Sequence, residues 1–205
     1  MSLLSYLALG DSYTIGEDVP AEGRWPVQLA AALRREGVPL AAPTILATTG
    51  WTTDELSAAM DAAGFAPPWN LVSLLIGVNN QYRGRDVEEY RGEFRHLLQR
   101  AIALAGARAG RVLVLSIPDW GVTPFAGDSG RDVAHIASAL DAYNATAREE
   151  TRRLGARWVD ITPISRRYPE LLASDGLHPS VAQYALWTEA ALPTVRAMLA
   201  ASPAA

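Results

Sequence analysis

The chain of 205 residues has no cysteine. That excludes disulfides and thiolate metal sites. It has no run of basic residues and a formal net charge of −4, so a nucleic-acid partner is not expected. No uninterrupted apolar stretch approaches the length of a membrane span. The N-terminus has neither a basic n-region nor an apolar h-region, and the first apolar run begins almost at Met1. The expected compartment is therefore the cytoplasm, unless a leader was trimmed ahead of Met1-Ser2-Leu3. About half the residues are apolar and a fifth are charged, as in a soluble globular protein. The length suits one domain with a sizeable core, assigned to residues 1–205 without a linker or repeat.

Strand-like and helix-like patterns alternate along that length. Short apolar runs at 3–9, 43–48, 70–76, 111–117 and 156–161 read as strands. The run at 70–76 is nearly continuous, as expected for a parallel strand covered on both faces. Between them, apolar residues recur at helical spacing over 25–36, from Thr53 as cap to 63, over 86–105 and over 132–154. A last helix is expected to be interrupted near Pro193 and to fade into Ser202-Pro203-Ala204. The segment 118–130 is rich in glycine and proline and reads as a long loop. Five strands alternating with helices predict a parallel sheet sandwiched between two helical layers, an α/β/α architecture. Ligands in such sheets bind beyond the carboxyl ends of the strands.

Polar turns follow the first three strands, and a fourth lies before the last helix, so they can share one rim. Gly10-Asp11-Ser12 closes the first strand and puts a hydroxyl among unpaired backbone N–H groups. Taken alone, Ser12 or Asp11 also reads as an N-cap. Asp175 precedes His178 by three residues, close enough to orient an imidazole that faces Ser12. An isolated pair of that spacing also reads as a solvated turn. Asn79 can aim an amide N–H over the rim, and Gly50 lets a backbone N–H approach a ligand. Both also fit simple turns. A hydrolytic serine needs a base, a group that orients the base, and oxyanion donors.

These blocks, with Gly77-Val78-Asn79-Asn80 after the third strand and Asp175-Gly176-Leu177-His178-Pro179 near the end, resemble those of the SGNH hydrolases, the GDSL esterase/lipase family. Their order and spacing match over nearly the entire chain. The resemblance implies a flavodoxin-like three-layer fold with a five-stranded parallel sheet and no metal or organic cofactor. It implies Ser12 as nucleophile, His178 as base and Asp175 as its orienting group. The oxyanion hole would be the N–H groups of Ser12 and Gly50 with the Asn79 side chain. Two positions depart from the family. Asn80 stands where Asp is common, and Tyr13-Thr14 follow the serine where Leu is frequent.

Trp51, Asn80 and Trp120 follow strands and are candidates for the pocket wall, although Trp51 and Trp120 can equally pack over the sheet end. Gly127-Asp128-Ser129-Gly130 imitates a trypsin-like serine motif, but the α/β pattern and the order of serine and histidine are wrong for it. Ser129 reads as a loop residue or cap. His96 and His135 have no ligand-like neighbours, so no metal site is expected. The expected activity is hydrolysis of small soluble esters or acetylated carbohydrates through an acyl-enzyme, independent of metal and falling off in acid. The same motifs also fit an acyltransferase, a lysophospholipase or thioesterase, or a non-catalytic binding protein. The oligomeric state is not legible.

Overall fold

A computed structural model describes residues 3–200. In chain order, β1 (Tyr6–Gly10) leads to the short helix α1 (Ser12–Ile15) and then α2 (Trp25–Arg35). Next come β2 (Thr44–Ala47), α3 (Thr53–Ala62), β3 (Leu71–Leu75), α4 (Val78–Tyr82) and α5 (Val87–Leu104). The chain continues through β4 (Val112–Leu115), α6 (Pro124–Asp128), α7 (Val133–Leu154), β5 (Arg157–Val159), α8 (Thr162–Arg167) and α9 (Val181–Ala200). The five strands form one sheet in the order β2-β1-β3-β4-β5, and every pairing is parallel.

That order puts the turnover of the winding between β1 and β3. The chain goes outward from β1 to β2, then crosses back and builds the other half of the sheet. A crevice at the carboxyl ends of β1 and β3 follows from this topology. α2 packs on α9 on one face, and α5 packs on α3 and α7 on the other. The core between the layers includes Leu7, Leu9, Leu29, Leu33, Leu74, Phe94, Leu97, Leu140 and Trp187, all buried. β1 and β3 are buried along their whole length, which explains their mostly apolar sequence, and the one buried hydroxyl of β3, Ser73, is paired with Tyr6 Oη at 3.0 Å.

The elements differ from the sequence expectation mostly at their ends. Leu3 is exposed and Leu4 makes only an isolated bridge to Leu40, so β1 starts later than the apolar run. Asp86 and Asp132 are N-caps rather than first helical residues, each accepting two backbone N–H bonds. Thr52, not Thr53, caps α3. Its side chain and that of Glu55 form a reciprocal capping box. The expected loop at 118–130 contains a 3-10 turn, Trp120–Val122, and α6. The polar stretch after β5 contains α8.

Pro193 does not interrupt the last helix, which runs through it. Tyr184, Trp187, Ala191, Val195 and Met198 are buried on both sides of the proline. This packing outweighs the local cost of one missing hydrogen bond. Ser202-Pro203-Ala204 lies outside the described residues. Among the described residues no helix is long and apolar enough to cross a membrane.

Candidate active site

Ser12 opens α1 directly after β1, and its backbone turn is fixed by its neighbours. The Asp11 carboxylate accepts the Tyr13 N–H at 3.0 Å, and the Asp11 carbonyl accepts the N–H groups of Thr14 and Ile15. Gly10 is needed for a steric reason. A Cβ there would lie 2.2 Å from Thr14 Oγ1 and 2.4 Å from the Leu75 carbonyl oxygen. The strand end is thus pressed against both the helical turn and β3. Asp11 is fully buried, which pushes its carboxyl up to about 7 although the backbone N–H bonds oppose the rise. Its Oδ2 has no partner among the described residues.

Asp175 and His178 meet through a compact local turn. Asp175 Oδ1 accepts the backbone N–H groups of Leu177 and His178, both at 2.9 Å. Its Oδ2 lies 2.5 Å from His178 Nδ1. Burial raises the Asp175 carboxyl. The bond to the His178 ring and those two N–H groups outweigh this and hold it below its ordinary value. The same oxygens therefore shape the turn and orient the ring. His178 is nearly buried, and its ring meets the edge of Tyr13 at 5.7 Å between centroids.

Ser12, Gly50, Asn79 and His178 all line one cavity of about 210 Å³. The other walls come from Tyr13, Thr49, Val78, Tyr82, Trp120, Phe125 and Leu177. Among the described residues, neither Ser12 Oγ nor the backbone N–H groups of Ser12 and Gly50 have a hydrogen-bond partner. Gly50 has a φ of 88°, a left-handed conformation that favours glycine, while no atom would obstruct a Cβ. One Asn79 amide hydrogen is committed to the Trp51 carbonyl at 2.9 Å. The amide has a second hydrogen, and Asn79 lies on the cavity wall.

Two pocket candidates are corrected. Asn80 is completely buried and does not line the cavity. It accepts the Thr53 N–H at 3.1 Å and donates to Thr53 Oγ1 at 2.6 Å and to Glu93 Oε2 at 3.3 Å. It ties the start of α3 to α4, with a carboxylate from α5 behind it. Trp51 is also not on the wall. Its ring packs against the core, and only its carbonyl reaches towards the site, through Asn79. Trp120 does line the cavity, and its indole N–H is fixed by Gln81 Oε1 at 2.9 Å. Ser129 is the C-cap of α6, and His96 and His135 are exposed.

Several contributors were not found by sequence reasoning. Tyr82 follows Asn79 by three residues on α4, so helical spacing could have identified it. Phe125 arrives from the segment read as loop, with its N–H on the Gly176 carbonyl at 3.3 Å. Consecutive acidic residues after α1 brace two further parts of the rim. Glu17 accepts from the Thr49 hydroxyl, next to Gly50. Asp18 Oδ2 accepts from the Ser174 hydroxyl at 2.5 Å and from the Asp175 N–H at 3.1 Å. Among the described residues no cluster of three or more His, Asp or Glu side chains could hold a metal ion.

A family model described as the GDSL-like lipase/acylhydrolase family matches residues 8–186. Solved structures share the fold. The lipase/acylhydrolase from Enterococcus faecalis is 19% identical with a TM-score of 0.74, over 98% of this chain and 100% of that one. Axe2, an acetylxylan esterase from Geobacillus stearothermophilus, is 20% identical with a TM-score of 0.72, over 95% and 96%. The psychrotrophic esterase EstA from Pseudoalteromonas sp., inhibited by monoethylphosphonate, is 16% identical with a TM-score of 0.72, over 95% and 98%. No curated protein sequence matches the chain.

Proposed function

The chain belongs to the GDSL-like lipase/acylhydrolase family and is an ester-hydrolysing enzyme, and on that premise we propose that it cleaves small carboxylic esters through an acyl-enzyme on Ser12. The supporting observation is the shared cavity. Ser12, Gly50, Asn79 and His178 all line it, the Asp175 carboxylate holds the His178 ring, and the backbone N–H groups of Ser12 and Gly50 are unpartnered among the described residues. Asp175 on Nδ1 leaves Nε2 as the ring nitrogen available to Ser12. Nε2 takes the hydroxyl proton as Oγ attacks the ester carbonyl. The oxyanion forms against the Ser12 and Gly50 N–H groups and the second Asn79 amide hydrogen. Collapse expels the alcohol, which leaves with the proton from His178. A water then repeats the sequence on the acyl-enzyme, releasing the acid and restoring Ser12.

Cavity size and lining support a short acyl group. A volume of about 210 Å³ walled by Tyr82, Trp120 and Phe125 suits an acetyl or similarly small chain better than a long fatty acyl. Acetylated carbohydrates are within this class. An organophosphonate should label Ser12, found by mass spectrometry of the peptide. p-Nitrophenyl acetate should be turned over faster than the octanoate. Faster octanoate turnover would replace this reading with a lysophospholipase-like one. Ester exchange exceeding hydrolysis on addition of alcohol would make the protein an acyltransferase.

A further inference from the structure

A second concavity, about 1260 Å³, lies at the other end of the sheet. Arg111 stands immediately before β4, and Arg157 is the first residue of β5, whereas the Ser12 cavity lies beyond strand carboxyl ends. Register pairs Arg157 with Leu113, so the two arginines sit on adjacent strand starts. Arg148 and Arg152 enter from α7. Four residues apart, they share one helix face about 6 Å apart along the axis. Arg108 completes the cluster, and Trp158 lines the same groove. Five arginines therefore gather on a chain whose net charge is −4.

Arg108 and Arg152 have local roles. Arg108 donates to the carbonyls of Ala105 and Trp69, at 2.8 and 3.1 Å, closing the end of α5. Arg152 lies in the last turn of α7, where a cation is favoured by the helix dipole. Arg148 and Arg157 have neither role, and no carboxylate partner among the described residues. The acidic residue on the groove wall, Glu149, is paired outward with Arg91 at 2.8 Å. Nearby Arg153 and Arg95 do have a partner, the buried Glu150. Burial, and then the Arg108 charge, hold the Arg111 guanidinium below its ordinary value.

We propose that this groove binds a small molecule bearing two or more linked phosphate groups. A groove lined by five arginines suits a ligand that carries several linked anionic groups. Each fork can engage phosphate oxygens in a bidentate way.

Titration calorimetry of the full chain with tripolyphosphate tests this. Saturable binding is expected, weakened by added salt and tighter than orthophosphate by about tenfold or more. Arg148→Glu and Arg157→Glu should each weaken it by about tenfold or more, with ester hydrolysis unchanged. Arg35→Glu, at an exposed residue of α2, should leave it intact. Should a variant fail to fold, arginine-directed dicarbonyl labelling of the unaltered protein gives the same test. Tripolyphosphate should protect Arg148 and Arg157 more than Arg35. No saturable binding, equal affinity for orthophosphate, equal loss in Arg35→Glu, or uniform protection would each overturn the proposal. Retention of an oligonucleotide by a protein that ignores tripolyphosphate would overturn it as well.

Discussion

Asp18 receives the backbone N–H of Asp175 at 3.1 Å, across 157 positions of sequence. The same oxygen receives the Ser174 hydroxyl, so one exposed carboxylate holds the turn that orients His178. Asp18 itself has a φ of 58°, left-handed and uncommon outside glycine. Backbone strain at a rim residue persists where surrounding bonds fix it, and here those bonds point at the site. Asp18→Ala should lower kcat about tenfold, roughly 1.4 kcal/mol in the barrier, with little change in KM. Asp18→Asn keeps an acceptor oxygen and a tolerated left-handed residue, so it should restore most of the rate. Equal losses in both variants would assign the effect to the charge of Asp18 rather than to its grip on the turn.

Ser12→Ala and His178→Ala should each cost on the order of 10⁶ in kcat, because nucleophile and base act as a unit. Asp175→Ala should cost less, since it orients the base without moving a proton. It also removes the acceptor of two backbone N–H groups, so its melting temperature should fall while that of Ser12→Ala should not. Steady-state rates on a short ester, read beside thermal unfolding, check the order.

Asn79→Ala should lower kcat by roughly 10²–10³ with KM nearly unchanged, as for loss of an oxyanion donor. The bond to the Trp51 carbonyl steadies the amide beforehand, so little reorganisation is needed during reaction. A change confined to KM would show that the amide binds substrate instead.

Asn80 is buried and donates an amide N–H to the Glu93 carboxylate of α5 at 3.3 Å. Asn80→Asp would place two carboxylates at the 3.3 Å contact now made by the amide. It should destabilise the fold by about 1–3 kcal/mol at neutral pH. Adding Glu93→Gln should recover most of that loss, because Gln can donate to the new carboxylate. Urea unfolding of the two single variants and the double variant closes the cycle. Additive losses would show that the two side chains are not coupled.

The stability of the protein should fall as pH rises from about 4 to about 7. Asp11, with its carboxyl pushed from 3.8 up to about 7, keeps a proton in the folded chain that the unfolded chain has already lost. Its contribution is therefore present below that window and lost across it, up to about 4 kcal/mol. Asp175 and Glu150 are held low and act in the opposite sense, but only in more acidic solution. Asp11→Asn should flatten the slope of the urea midpoint between pH 5 and pH 8. An unchanged slope would place its origin elsewhere.

What the sequence by itself determined is what lies within a few residues. The nearly continuous apolar run of β3, the helical periods of α5 and α7, and the polar turns after the first three strands all read directly. The Asp175–His178 pair is three residues apart, and its geometry is that of one turn. The tertiary structure decided what depends on which distant strands pair. β1 beside β3 brings Ser12 and Asn79 to one cavity, and β2 on the other side of β1 delivers Gly50. Asn79 and Asn80 are adjacent in sequence, yet one reaches the cavity and the other is buried under Glu93 from α5. Trp51 and Trp120 both follow strands, and only Trp120 becomes wall. Pro193 reads as a helix breaker, but burial along α9 against α2 overrides it. A local hydrogen-bond or periodicity preference is written in neighbouring residues. The direction a side chain finally faces is set by the packing of elements that the sequence keeps far apart.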